Sequence, residues 1–192
     1  DRAGFEGYFC QNSEDARALV AKLVPVGSSV AWGGSETFKE TGIKDMLAKG
    51  NYQMLDRAKA SSPDELREVF LSHFASDFFF MSTNALTQKG ELVNIDGNSN
   101  RLACLLHGPK QVIVLVGMNK VVRDVDAAFK RIRTAACPPN AARLHTGTPC
   151  ENTGMCSQCH ADGCMCCNLV ITRHSRHKGR IKVILIAEDL GY

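Results

Sequence analysis

Short apolar runs of strand length alternate with amphipathic helical patterns along this chain. Asp77 to Met81 and Val112 to Val116 are apolar almost throughout and are bounded by turn or polar residues. Strands buried on both faces have this composition, whereas half-buried strands alternate apolar and polar residues. Such strands need helices on both faces of their sheet. The alternation therefore predicts an α/β fold with a three-layer, mostly parallel sheet.

Helix patterns occupy much of the sequence between these strands. Ser13 to Leu23 carries an apolar stripe at helical spacing. Ser62 followed by Pro63 predicts a helix start, because a serine can cap a helix and proline suits the first helical position. Val121 to Ala136 predicts a further helix, and Pro138 is expected to end it.

The C-terminal part of the chain returns to strand character. Leu169 to Thr172 and Ile181 to Ile186 are separated by a polar, basic stretch, and this spacing predicts a terminal hairpin. Residues 150–167 then form a cysteine-rich insertion before that hairpin. No Pro/Gly/Ser-rich linker divides the 192 residues, so we expect a single domain over residues 1–192.

Charge and hydropathy exclude several classes of partner. A formal net charge of +3 gives no basis for binding nucleic acid. The apolar runs are too short to cross a bilayer, and no leader pattern opens the chain, so no membrane partner is expected. We expect a cytoplasmic protein, and the sequence leaves open whether it forms a homo-oligomer.

Cysteine is the one compositional outlier, because six of the nine cysteines fall between residues 150 and 167. Disulfides usually stabilise small secreted domains, whereas this chain has enough strand and helix patterns to form its own core. Clustered thiols in a reducing compartment are typically metal ligands or redox groups. We therefore predict a metal centre, with structural disulfides as the alternative.

The spacing of these cysteines suits a four-sulfur site. A Cys-x2-Cys pair directs two thiolates toward one centre, and flanking loops supply two more sulfurs. Zinc sites usually contain two such pairs and this segment contains one, so an iron–sulfur cluster, 4Fe-4S, is favoured and zinc is the alternative. The predicted ligands are Cys150, Cys156, Cys159 and, as the favoured fourth, Cys166, with Cys164 and Cys167 as alternatives for that fourth position.

Polar and glycine residues follow several predicted strands, where the carboxyl ends of parallel strands commonly bind ligands. We predict a cleft there for a small anionic metabolite. Ser35 could instead cap a helix, and Thr83 and Asn84 could instead satisfy turn backbone. The predicted ligand-binding residues are Gly33, Gly34, Ser35, Thr83, Asn84, Asn94, Asp96, Arg101, Gly117, Asn119 and Lys120.

Several segments together resemble one known family, the LUD-domain or DUF162 proteins of lactate utilisation. The resemblance is carried by Val30 to Ser35, Ser82 to Ala85, Gly90 to Gly97, Gly108 to Lys110 and Gly117 to Lys120. It continues through Thr148 to Cys150 and the closing Ala187 to Tyr192.

This resemblance implies a fold like the NagB/RpiA/CoA-transferase group and a role in oxidising lactate or related organic acids, with redox partner subunits. It assigns no catalytic residue, so enzymatic activity is left open beside a non-catalytic binding or assembly role with structural zinc or a structural cluster. The family's cysteine subtype matches Cys150, Cys156, Cys159 and Cys166. Cys164 and Cys167 are additional here and leave the fourth ligand open among Cys164, Cys166 and Cys167.

Overall fold

Strands and helices alternate through residues 3–192, which are the residues that the computed structural model describes. The strands are β1 Glu6–Cys10, β2 Ser29–Trp32, β3 Gln53–Met54, β4 Phe78–Ser82, β5 Ala85–Thr87, β6 Leu92–Asp96, β7 Gln111–Gly117, β8 Val121–Val122, β9 Asn168–Thr172 and β10 Ile181–Ile186. The α-helices are α1 Ser13–Leu23, α2 Glu36–Glu40, α3 Ile43–Lys49, α4 Pro63–Phe74, α5 Asn100–Leu106, α6 Val125–Arg131, α7 Cys137–Leu144 and α8 Pro149–Thr153. No helix in this part of the chain is both long enough and apolar enough to cross a membrane.

The chain is organised as two compact units. Unit 1 comprises the residues up to Ser82, together with Asn100–Asn119 and His174–Gly191. Unit 2 comprises Thr83–Ser99 and Lys120–Arg173, and it also includes Tyr192. The expectation of a single domain over residues 1–192 stays a prediction.

Unit 1 is built on a six-stranded sheet of order β1-β10-β7-β4-β2-β3 in which every neighbouring pair is parallel. Val114 in the middle of β7 lies opposite Met81 of β4 on one side and Val183 of β10 on the other. All five residues of β4 are buried, as expected for a central strand covered on both faces. The prediction of an α/β fold with a mostly parallel sheet is confirmed.

Helices cover both faces of this sheet, so unit 1 has the three predicted layers. On one face, Phe80 and Leu115 pack in a core with Val20 of α1 and with residues of α2 and α3. On the other face, the ring of His73 of α4 lies 6.1 Å from that of Phe79. Because adjacent side chains in a strand point to opposite faces, the consecutive phenylalanines of β4 serve both layers.

Unit 2 contains a four-stranded mixed sheet of order β8-β5-β6-β9. The β5 strand is antiparallel to β6, and β6 is antiparallel to β9. Ala85 and Val93 of this sheet pack against Ala128, Ile132 and Cys137.

The predicted terminal hairpin is wrong, because β9 and β10 belong to different sheets. β9 pairs with β6 in unit 2, whereas β10 lies between β1 and β7 in unit 1. The apolar sequence of β10 gives the physical reason: five of its six residues are buried, which requires a central position among parallel strands. Half-exposed β9 suits the edge of a smaller sheet.

The expected helix end at Pro138 is also wrong. After α6, the chain forms one π-helical stretch, Ile132–Ala136, and then continues directly into α7. Pro138 lies in the first turn of α7, where a missing N–H group costs no helical hydrogen bond. At the other end of the predicted helix, Val121–Val122 forms the short strand β8.

One carboxylate joins the amino ends of three strands in unit 1. Asp77 Oδ2 accepts hydrogen bonds from the N–H and the hydroxyl of Ser29, at 2.9 and 2.8 Å. Asp77 Oδ1 accepts one from Lys110 Nζ at 2.7 Å. The Lys110 ammonium and then the Ser29 donors hold the pKa of Asp77 at about 2, below its ordinary 3.8. This carboxylate therefore stabilises the fold in its ionised form.

Replacing Asp77 by asparagine should lower the free energy of unfolding at pH 7 by about 1 kcal/mol, after allowing for solvent screening of Lys110. Because the folded pKa is depressed, the stabilisation is complete above about pH 4 and is lost as the pH falls through about 2. Urea unfolding at several pH values should therefore show the wild type and Asp77→Asn converging in acid. The exposed Glu68→Gln change is the control, and a pH-independent difference would contradict this role.

Candidate functional site

The cysteine-rich segment is an ordered loop that is fastened to the rest of unit 2. It begins with α8, which ends at Gly154 in a left-handed conformation with φ of 69°. The N–H of Cys156 donates to the carbonyl of Arg133 in the π-helix, at 3.1 Å. Further along, Asn140 Nδ2 donates to the sulfur of Met165 at 3.4 Å. The segment is therefore held at both its start and its end.

Backbone N–H groups donate to two of the cysteine sulfurs, each from the residue two positions later. The N–H of Gln158 donates to Cys156 Sγ and that of Cys166 to Cys164 Sγ, both at 3.4 Å. The backbone N–H of Ala161 is the main influence that lowers the pKa of the Cys159 thiol. Such donors stabilise a thiolate, which is the form that binds metals.

Four sulfurs of unit 2 form a chain of neighbours. Cys166 Sγ lies 3.5 Å from Cys137 Sγ, and Cys159 and Cys164 are near enough to shift each other's pKa. The N–H of Cys166 lowers the pKa of Cys164, but burial and the sulfurs of Cys166 and Cys159 outweigh it and raise that pKa to about 11. Contact with Cys137, followed by burial, raises the pKa of Cys166. Without a bound metal, the thiols of Cys164 and Cys166 are therefore protonated at neutral pH.

The surroundings of Cys150 differ from those of the other predicted ligands. It is buried in α8, and its sulfur lies 3.2 Å from Thr148 Oγ1. The structure thus brings Cys159, Cys164 and Cys166 into one neighbourhood with Cys137, which the sequence argument did not include. A cysteine followed by two prolines, at 137–139, was the available clue, because proline restricts the backbone beside a ligand.

The donor set fits a sulfur-ligated metal centre by its chemistry. All nine cysteines in the described chain are free thiols, and those from Cys156 to Cys167 are at least partly accessible to solvent. Within residues 3–192, no three His, Cys, Asp or Glu side chains are already arranged to hold a metal ion. A metal would therefore have to draw these sulfurs together as it binds.

In unit 1, the predicted ligand-binding residues Gly33 and Arg101 lie together at the carboxyl ends of β2 and β4. Gly33 N–H donates to the carbonyl of Phe80 at 3.0 Å, and Arg101 Nη1 donates to the carbonyl of Ser82 at 3.0 Å. A Cβ at Gly33 would lie 2.9 Å from Cγ of Arg101, so the glycine allows the arginine stem to cross the strand end. Gly34 follows, with Arg57 beside it.

The remaining unit 1 candidates have structural contacts of their own. Ser35 is the N-cap of α2, where its hydroxyl accepts the N–H of Phe38 at 3.2 Å. Asn119 donates to the carbonyl of Gly191 at 3.0 Å and accepts the N–H of Leu190 at 3.2 Å. The capping alternative for Ser35 is thus observed, and Asn119 fastens the C-terminal residues beside Gly117.

In unit 2, the predicted ligand-binding residues are largely engaged with neighbouring backbone. Thr83 donates from its hydroxyl to the carbonyls of Ala85 and Val93, at 3.0 and 3.2 Å. Asn84 Oδ1 accepts the N–H of Ile95, and Asp96 Oδ1 accepts that of Ser99, both at 2.9 Å. Asn94 and Lys120 are buried. That all eleven residues line one cleft stays a prediction.

Comparison with known proteins shows that the chain is similar to one family. A family model described as the LUD domain matches residues 1–186. A crystal structure of a DUF162 family protein from Deinococcus radiodurans is 13% identical, with a TM-score of 0.52, and the match covers 96% of this chain and 89% of that one. That likeness shows a shared fold.

Weaker likenesses extend to two proteins of Chaetomium thermophilum. The eIF2B delta structure is 16% identical over 62% of this chain and 51% of its own, with a TM-score of 0.40. The eIF2B beta structure is 17% identical over 60% of this chain and 41% of its own, also with a TM-score of 0.40. Comparison with curated proteins gave no match.

Gly117→Ala tests how tightly the chain packs at the end of β7. An added Cβ would lie 2.5 Å from Asn119 Oδ1 and 2.7 Å from the backbone nitrogen of Leu190, so both contacts must be relieved by movement. We expect Gly117→Ala to lower the free energy of unfolding by about 1–3 kcal/mol, measured by urea denaturation. Gly7→Ala is the matched strand control, because an added Cβ there meets nothing within 4 Å. Equal stabilities would refute the packing argument.

Proposed function

Because this chain belongs to the LUD-domain family, we propose that it is an iron–sulfur-binding protein of lactate or other organic-acid utilisation. The cluster, of the 4Fe-4S type, sits on the cysteine-rich segment, and a small carboxylate binds at the strand ends. The protein works in the cytoplasm, whose reducing conditions suit its free thiols. Redox partner subunits exchange electrons with the cluster.

The repeated N–H to sulfur hydrogen bonds are the observation that carries the cluster proposal. Two cysteines, Cys156 and Cys164, each accept the N–H of the residue two positions later. A loop of inert thiols has no need for this arrangement, whereas thiolates around a cluster do, because such donors tune its potential. Cys156 was predicted as a ligand and Cys164 as an alternative fourth ligand, and this pattern supports both.

Several cysteines of the segment are candidates for the remaining ligand positions of the cluster. Cys166 is the predicted fourth ligand, and Cys164 and Cys167 are the alternatives. The N–H hydrogen bond to the Cys164 sulfur favours Cys164 over Cys167. When bound, an iron–sulfur cluster supplies one-electron transfer at a potential set by its surroundings. The protein's own contribution is to hold the sulfurs, donate hydrogen bonds to them and limit access of water.

A structural zinc ion is the second candidate, and one distance favours it. Two thiolates on a tetrahedral ion with bonds of about 2.3 Å lie about 3.8 Å apart. The sulfurs of Cys137 and Cys166 are 3.5 Å apart, close to that spacing. With zinc, the chain would be a non-catalytic binding or assembly protein of the same family.

The carboxylate is proposed to bind in unit 1, beyond the carboxyl ends of β2 and β4. Parallel sheets commonly bind ligands at that edge. Arg101 reaches it from α5, because Gly33 leaves room for its stem and Ser82 accepts one of its N–H groups. A guanidinium can bind a carboxylate through two parallel hydrogen bonds, which makes Arg101 the recognition residue proposed for lactate and related 2-hydroxy acids.

Arg101→Gln should weaken the binding of L-lactate or pyruvate by about 10-fold or more, because it removes a charged donor pair. Isothermal titration calorimetry of the full chain measures this directly. Arg101→Lys should recover part of the loss, and Arg67→Gln on the exposed surface of α4 should change nothing. Unchanged affinity in Arg101→Gln, with wild type binding the acid, would remove Arg101 from the site.

Cys159→Ser should abolish iron and sulfide binding, because the variant lacks one of the two sulfurs of the Cys-x2-Cys pair. Metal analysis and the visible absorbance of anaerobically reconstituted protein give the result. Cys10→Ala is the control, since Cys10 packs in the core of unit 1. Wild-type protein that takes up neither iron nor zinc, or Cys159→Ser with full occupancy, would refute the metal centre.

A further inference from the structure

We propose that Cys137, which lies outside the cysteine-rich segment, is a ligand of the metal centre and takes the place predicted for Cys150. This inference rests on the zinc form of the proposed centre and names one of its ligands, because the cysteines of a 4Fe-4S cluster bind different iron atoms and do not share one ion. It follows from the positions of the two sulfurs in unit 2. The spacing of cysteines within residues 150–167 does not predict this ligand, because Cys137 lies outside that segment.

The first argument is contact between sulfurs. Cys137 Sγ lies 3.5 Å from Cys166 Sγ, and the two side chains pack in the same apolar cluster. Cys137 is only 5% exposed. On one tetrahedral ion with bonds of about 2.3 Å, the two sulfurs would move apart by about 0.3 Å, which side-chain rotation can supply. The pair therefore needs little rearrangement to share a metal.

The second argument is the backbone that presents Cys137. The π-helix Ile132–Ala136 immediately precedes it, and single π-helical turns occur frequently at functional sites. The carbonyl of Arg133 within this turn accepts the N–H of Cys156, so the turn also fastens the loop that carries the Cys-x2-Cys pair. Pro138 and Pro139 follow and restrict the backbone. Cys137 therefore lies directly after the turn that binds the loop.

The third argument is the different position of Cys150. Its sulfur lies 3.2 Å from the hydroxyl of Thr148, which in turn is 2.8 Å from that of Thr146. This side chain is thus part of a hydroxyl network at the start of α8. Of the two buried cysteines of unit 2, Cys137 is the one whose sulfur contacts a sulfur of the segment.

The experiment compares Cys137→Ser and Cys137→Ala with Cys150→Ser in the full chain. Each protein is prepared anaerobically and loaded in separate samples with ferrous iron plus sulfide, with zinc and with cobalt(II). Mass spectrometry gives metal per chain, competition with a chelator gives zinc affinity, and cobalt charge-transfer absorbance reports the number of bound thiolates. Cys166→Ser serves as the positive control, and Cys104→Ser as a matched buried cysteine in unit 1.

We expect both Cys137 variants to bind zinc at least about 10-fold more weakly and to lose about a quarter of the cobalt absorbance, while Cys150→Ser keeps both. Circular dichroism and thermal unfolding of the metal-free proteins exclude a folding defect. If Cys137 variants keep wild-type affinity, or if anaerobically isolated protein contains a Cys137–Cys166 disulfide, this assignment is overturned. A wild type that binds no metal overturns the proposed centre itself, which is a distinct result.

Discussion

Burial of the apolar strands β4, β7 and β10 is the constraint on which the rest of unit 1 depends. Nearly every residue of these strands is buried, so each needs a strand on both edges and a helix layer on both faces. This requirement brings β10 from the end of the chain into the sheet between β1 and β7. It also aligns the carboxyl ends of the parallel strands at one edge, where Gly33 and Arg101 meet.

Polar residues at that edge of the sheet stabilise the fold, in addition to any ligand that they bind. Ser35 caps α2, Asn119 fastens Leu190 and Gly191, and Arg101 donates to the carbonyl of Ser82. Buried backbone groups need partners, and short polar side chains beside turns supply them. A ligand at this edge would therefore bind among groups that are already ordered, which reduces the entropy lost on binding.

The thiol centre has a different physical basis, since its parts come from distant positions of unit 2. The π-helix accommodates the transition from α6 to α7 and presents Cys137, and the same turn accepts the N–H of Cys156. Backbone N–H groups of the loop itself donate to the sulfurs of Cys156 and Cys164, and the pKa of the Cys159 thiol is lowered. The metal centre proposed for organic-acid redox chemistry thus combines a rigid helical side with an adaptable loop.

The sequence by itself determined the α/β class, the family and most elements, including the bounds of α1 and β10 and the Ser62 cap of α4. These follow from periodicity and capping, which act over a few residues. Tertiary structure decided that β9 and β10 separate into two sheets, that Pro138 lies in the first turn of α7, and that Cys137 contacts Cys166. Strand partners and sulfur contacts join residues far apart in the chain, and local patterns carry no information about which distant surfaces will exclude water together.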